Sequence, residues 1–254
     1  MTVDYVVVNR VAVITIGRPE ARNAVNGAVA TGIEAAIDRV EADPDCWVAI
    51  LAGDGPVFCA GADLKAIASG QAASLRTERG GFGGLVKRER TKPLIAAVDG
   101  PALAGGFEMV LACDLVVASR RAVFGLPEVK RSLIAAGGGL FRLPRAIGPK
   151  VAMELILTGD PISGEQAYEL GLVNVLVDAG EALNAAHTLA GRILLNAPHA
   201  VWESRTVAAH ALSDDDATLW RMTAEGFARV GETDDFVEGP RAFIDKRAAA
   251  WQGH

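Results

Sequence analysis

The feature that most constrains this chain is a set of short β-branched and small apolar runs in its first half, with helical stretches between them. Val3 to Val8 and Val11 to Ile16 are separated only by Asn9 and Arg10, which reads as a hairpin. Trp47 to Leu51, Leu94 to Val98 and Leu115 to Ala118 are apolar without interruption, as buried strands are. After the hairpin, Val29, Ile33, Ile37 and Val40 recur at helical spacing, with Glu34, Asp38, Arg39 and Glu41 on the other positions. A hairpin followed by strands alternating with helices predicts an α/β fold, a mixed sheet with helical covers. The second half reads as mostly helical. Ser163 and Gln166 form a capping-box pair, and Gly171 marks a helix stop. Asp178 and Glu181 give a similar start signal. Leu183, Ala186, Ala190 and Ile193 then keep helical spacing, and Pro240 predicts a last helix over Arg241 to Ala250. The organisation expected is a β/α core over residues 1–195 and a helical C-terminal region over 196–254.

Composition enters as a filter. With 50% hydrophobic and 22% charged residues among 254, the chain is globular in type. A net charge of −6 argues against a nucleic-acid partner. Lys87, Arg88, Arg90 and Lys92 read as a solvated helix face or loop. Cys46, Cys59 and Cys113 have neither disulfide nor zinc spacing, and His187, His199, His210 and His254 lack metal spacing. No metal site is therefore expected. Met1 to Arg10 shows no cationic stretch leading into an apolar one, and no apolar run reaches membrane-spanning length. The expectation is a cytoplasmic protein with no membrane partner.

Three segments carry chemistry. Phe58-Cys59-Ala60-Gly61-Ala62-Asp63-Leu64-Lys65 follows a strand and a turn, and its small residues let backbone N–H groups face a ligand. The alternative is a tight strand-to-helix turn. Gly100 to Glu108 places Gly105-Gly106 before a helical stretch, where free N–H groups and the positive dipole end favour an oxyanion. Glu108 stands among Phe107, Met109, Val110 and Leu111, apolar surroundings that raise a carboxylate pKa. Its alternative is a Glu that merely favours a helix start. Phe124 to Val129 carries a second isolated carboxylate, Glu128, and Gly137-Gly138-Gly139 lies downstream. Here the alternatives are an exposed strand end and a flexible loop. One carboxylate can hold and deprotonate water while the other delivers a proton. No nucleophile elbow and no phosphate-binding loop is present.

At these segments the chain resembles the crotonase (enoyl-CoA hydratase/isomerase) family. The likeness runs from Arg18-Pro19-Glu20-Ala21-Arg22-Asn23-Ala24 through FCAGADLK, ALAGGFEM, FGLPEV and LPRAIG to LTGDPISGEQAYELGLVN and EGPRAFIDKR, nearly the whole chain. The resemblance implies a crotonase-like spiral of ββα units with a helical C-terminal trimerisation region, in a homotrimer or hexamer. It implies a lyase, most like an enoyl-CoA hydratase of fatty acid β-oxidation or related acyl-CoA catabolism. The neighbouring possibilities are a carnitinyl-type dehydratase or a Δ3-Δ2 isomerase, and more distantly an RNA-binding or inactive relative. The oxyanion-hole amides fall on Ala62 and Gly105, and the catalytic glutamates on Glu108 and Glu128. Substrate contacts fall on Arg22, Ala24, Ala60, Asp63, Leu64, Lys65 and Ala136, with Phe227 and Lys246 reaching coenzyme A, which is part of the acyl-CoA substrate rather than a cofactor. Ala135-Ala136 stands where many hydratases have Pro-Gly. The segment from Ile67 to Arg90, rich in Gly and Ala, is expected to be a mobile loop.

Overall fold

The computed structural model describes residues 2–254. β1 (Val3–Val8) and β2 (Val11–Ile16) form the expected hairpin, turned by Asn9 and Arg10, both at positive φ. Then come α1 (Gly27–Ala42), β3 (Val48–Gly53), α2 (Leu64–Ala68) and a small hairpin, β4 (Arg76–Thr77) with β5 (Gly81–Phe82). β6 (Leu94–Val98), β7 (Ala102–Leu103) and α3 (Gly105–Leu111) follow, then β8 (Leu115–Ser119) and β9 (Val123–Gly125). α4 (Gly139–Ile147), α5 (Pro149–Thr158), β10 (Ile162–Ser163), α6 (Gly164–Glu169) and β11 (Val175–Val177) complete the core. The C-terminal part is α7 (Ala182–Leu194), α8 (Pro198–His210), α9 (Asp216–Gly231) and α10 (Asp234–Ile244).

The large sheet has the order β1-β2-β3-β6-β8-β11, antiparallel at β1/β2 and parallel elsewhere. Its central strands are apolar throughout because both faces are covered. Along β3, Ala49 and Leu51 join the cluster that contains α1 and α3. Val48, Ile50 and Ala52 join the cluster under α7, with Ala186 and Ala190. α1 buries Val29, Ile33, Ile37 and Val40, the stripe expected from its spacing.

A second, short sheet runs β10-β9-β7, and a bridge from Cys59 to Ala102 extends it. Each turn of the chain therefore repeats one pattern: a long strand in the first sheet, a short one in the second, then a helix. β3, Cys59 and α2 make one unit; β6, β7 and α3 make the next; β8, β9 and a 3₁₀ turn (Pro127–Arg131) make a third. This is the spiral of ββα units. The residues just past each short strand are Ala62, Gly105 and Glu128, so the spiral stacks them at equivalent positions.

Several expectations are corrected. Lys87 is exposed as expected, but the rest of the basic run is not a solvated face. Arg90 is buried and pairs with Asp114 at 2.8 Å, Lys92 donates to the carbonyls of Val40 and Asp43, and Arg88 pairs with Asp38. Asp114 also binds Arg205 of α8 at 2.8 Å, which ties the C-terminal helices to the sheet. Within the segment 67–90, residues 67–74 are exposed, but from Leu75 onward the chain is packed rather than an open loop. Glu34 accepts hydrogen bonds from Thr77 and the Gly80 amide, Gly84 lies against the Ala30 carbonyl, and Leu75, Leu85 and Val86 are buried. Its glycines serve close backbone approach. Ser163 and Gln166 form their capping box, but Asp178 and Glu181 do not, and α7 starts one residue after Glu181 without a side-chain cap. The last helix starts at Asp234, not Arg241, with two aspartates in its first turn. Pro240 sits inside it, and the chain leaves the helix before Lys246, whose φ is +54°. Among the described residues no helix is long and apolar enough to cross a membrane.

Candidate active site

The first wall of the site is a ribbon between two of the sequence motifs. Ala60 N–H donates to the Arg22 carbonyl, Val25 N–H to Gly61, and Asp63 N–H to Val25. Arg22 and Ala24 therefore run beside Ala60 and Ala62. Arg18 fastens the ribbon, donating to the Ala24 carbonyl at 2.6 Å and to the Asp63 carboxylate at 3.0 Å. Asp63 itself caps α2, accepting from the amides of Lys65 and Ala66. Leu64 and Lys65 lie outward on that helix.

Gly61, at φ +94°, touches the next motif. A Cβ at position 61 would stand 2.9 Å from the Ala104 Cβ and 3.2 Å from the Gly105 nitrogen. Ala104 takes φ +51° and ψ −129°, a conformation of order 1–3 kcal/mol above the ordinary ones. That bend starts α3 at the end of β7 and makes Gly105 N–H the first amide of the helix. Ala62 N–H and Gly105 N–H thus lie on adjoining backbone, and neither donates to an acceptor among the described residues. Two such amides beside a helix start suit a developing oxyanion. The ring of Phe82 covers Gly105, leaving no room for a side chain there: a Cβ would meet it at 2.3 Å.

Glu108 comes one turn later on α3 and is almost fully buried, at 4% exposure. Its Oε1 accepts from the amides of Gly137, at 2.6 Å, and Gly139, at 2.9 Å. Burial raises its pKa above the ordinary carboxylate range, and the Gly139 and Gly137 amides pull it part of the way back. Glu128 lies on the 3₁₀ turn after β9, and its Oε2 is buried without a hydrogen-bond partner among the described residues. Burial is the main cause that pushes its pKa up to about 7, and the charge of Glu108 adds to it. The pair thus offers one carboxylate fixed by two amides and one poised to carry a proton near neutrality.

The structure brings Ala62, Gly105, Glu108 and Glu128 into this arrangement, with Arg22, Ala24, Ala60, Asp63, Leu64 and Lys65 along its edge. Ala136 is exposed on the loop leading to the Gly137 amide, and Ala135 is buried beneath it. Phe227 and Lys246 lie apart: Phe227 is on α9 with its ring against Phe236, and Lys246 follows α10. Sequence reasoning missed four participants. They are the Gly137 and Gly139 amides as partners of Glu108, Phe82 against Gly105, and Arg142, which donates to the carbonyls of Gly137 and Val86. The glycine triplet was a visible signal, but nothing local links it to a carboxylate 29 positions earlier. Among the described residues no group of three or more His, Cys, Asp or Glu is placed to hold a metal ion.

Comparison with known proteins shows the family and the fold. The family model for enoyl-CoA hydratase/isomerase matches residues 7–254. A solved structure described as enoyl-CoA hydratase from Mycobacterium tuberculosis superposes with a TM-score of 0.95 at 46% identity, covering 100% of this chain and 99% of that one. Mevalonyl-coenzyme A hydratase of Aspergillus fumigatus is 39% identical, over 95% of this chain and 91% of its own length. Carnitinyl-CoA dehydratase of Salmonella typhi is 36% identical, over 94% of each.

Proposed function

This chain belongs to the enoyl-CoA hydratase/isomerase (crotonase) family, and we propose that it catalyses the reversible addition of water to a trans-2-enoyl-CoA, giving a 3-hydroxyacyl-CoA. The observation that carries this reading is the pair of unlike carboxylates beside two free backbone amides. In the mechanism, the thioester oxygen accepts hydrogen bonds from Ala62 N–H and Gly105 N–H, which stabilise the enolate as charge moves onto it. Ionised Glu108, fixed by Gly137 and Gly139, takes a proton from the water whose oxygen adds to C3. Glu128, protonated below about pH 7, delivers a proton to C2. Dehydration runs through the same groups in reverse.

The words hydratase and dehydratase in the names of the relatives support water chemistry, and those names differ in the acyl group. A carnitinyl-type dehydratase is the second reading. It uses the same carboxylates and is favoured by the carnitinyl-CoA relative at 36% identity. An isomerase needs one carboxylate, so the retained pair weighs against it. The reading extends to an assembly of three or six copies in the cytoplasm. The exposed Trp220, Phe227, Val237, Phe243 and Ile244 of α9 and α10 would be covered there, and Phe227 and Lys246 would reach a neighbouring copy's coenzyme A.

Incubation with crotonyl-CoA and product analysis tests the reading. 3-Hydroxybutyryl-CoA is expected. A 3-enoyl product or free coenzyme A would replace this function with isomerisation or hydrolysis.

A further inference from the structure

Arg142 sits where local rules disfavour a cation. It lies in the first turn of α4, where the helix dipole repels positive charge. Its guanidinium is partly buried and joins two segments that are far apart in sequence. Nη1 donates to the Gly137 carbonyl at 3.1 Å and Nη2 to the Val86 carbonyl at 2.6 Å. The loop between α4 and the 3₁₀ turn is shaped around it. Gly138 takes φ +106°, and a Cβ there would stand 2.2 Å from Nη1. The residues on either side, Gly137 and Gly139, are the ones whose amides hold Glu108. Val86 belongs to the packed segment that carries Phe82 onto Gly105. One planar fork therefore spans the loop that fixes the carboxylate and the segment that backs the oxyanion amide. A lysine carries its three donors on one nitrogen and lacks the two-nitrogen planar fork that meets these two carbonyls.

We propose that Arg142 is a positioning residue for the reaction, fixing the Gly137-Gly138-Gly139 loop against the Val86 segment so that two amides stay aimed at Glu108. This rests on the hydratase reading above. Arg142 touches no reacting atom and acts through Glu108. The charged groups that bear on Glu108 are Arg142 on α4, Arg76 on β4 and Glu128 on the 3₁₀ turn. Both arginines favour its ionised form, so removing Arg142 raises the pH at which Glu108 ionises.

The test compares Arg142→Met and Arg142→Lys with the parent, using crotonyl-CoA for kinetics and carbon-13 labelled glutamate for a direct titration of Glu108. Arg142→Met should lower kcat by roughly 10- to 100-fold, the usual cost of a small misplacement, with KM changed by less than about threefold. The acid limb of kcat and the Glu108 titration should both move to higher pH. Arg142→Lys keeps the charge, so its limb should stay near the parental pH while kcat falls by at least about fivefold. A Met variant with parental kcat, or one that loses kcat with neither limb nor titration moved, overturns the proposal. Where Arg142→Met does not fold, Arg142→Lys decides: parental kcat, or loss in proportion to loss of folded protein, overturns it. The titration needs no turnover. If the parent does not hydrate crotonyl-CoA, the hydratase reading fails, and the Glu108 titration alone still upholds or overturns the hold of Arg142 on that carboxylate.

Discussion

Replacing Gly137 by alanine sets one methyl group against the Glu108 carboxylate without removing any charge or donor. The new Cβ would stand 2.6 Å from Oε2, 2.9 Å from the carboxyl carbon and 3.2 Å from Oε1, where ordinary contact begins at 3.4 Å. The carboxylate must retreat by about 0.8 Å, the shortfall at Oε2. Such a retreat breaks or lengthens the 2.6 Å bond from the Gly137 amide, and a hydrogen bond to a charged group is worth about 1.5–3 kcal/mol. Displacing a reacting group by about 1 Å costs on the order of 10²-fold. Turnover of crotonyl-CoA, followed by loss of the enoyl-thioester absorbance, should therefore fall about 10²-fold. The backbone can accept alanine, because Gly137 is not among the positive-φ glycines, so the fold should persist, with the melt lowered by no more than the loss of that one hydrogen bond allows. Gly191→Ala on α7 is the control, since nothing lies within 4 Å of its Cβ. It should keep parental turnover and gain about 0.5–1 kcal/mol of stability. A Gly137→Ala enzyme as fast as the parent would refute the claim that the loop fixes the catalytic carboxylate.

Glu128 should impose a basic limb on kcat/KM for hydration centred near pH 7, because only its protonated form delivers the proton and burial holds its pKa at about 7. A profile flat from pH 6 to 9 would contradict this assignment. Asp114→Asn leaves Arg90 buried without its counter-charge and frees Arg205, so chemical denaturation should show a loss of about 3–5 kcal/mol. A loss under about 1 kcal/mol would mean that the network is not what ties α8 to the sheet. Burial would raise the Asp114 carboxyl, but Arg90 and then Arg205 hold it below the ordinary carboxylate range. Its contribution is thus fully present above about pH 4 and declines as pH falls through the lowered value.

Periodicity made the large sheet legible, because strands covered on both faces must be apolar at every position and α1 must keep its stripe. The site was legible where chemistry is local: an isolated Glu in an apolar helix, or a glycine pair at a helix start. Contacts across the spiral were not. Gly137 and Gly139 meet Glu108, and Phe82 meets Gly105, through the stacking of successive ββα units, which no spacing in the sequence encodes. The same holds for the basic run. Arg90 and Lys92 resemble solvated charge until the fold brings Asp114 and the α1 carbonyls to them. Proline misled at position 240, because a helix already begun at Asp234 can carry it at the cost of one backbone bond.

The most direct test follows crotonyl-CoA in water enriched with heavy oxygen, with the parent and with Glu108→Gln and Glu128→Gln. The parent should place the heavy oxygen at C3 of 3-hydroxybutyryl-CoA. Each variant, nearly isosteric and folded, should form that product roughly 10²–10⁴-fold more slowly, the usual worth of a general acid or base. Parental rates in both variants, or a product with no heavy oxygen at C3, would contradict a hydration carried by this pair of carboxylates.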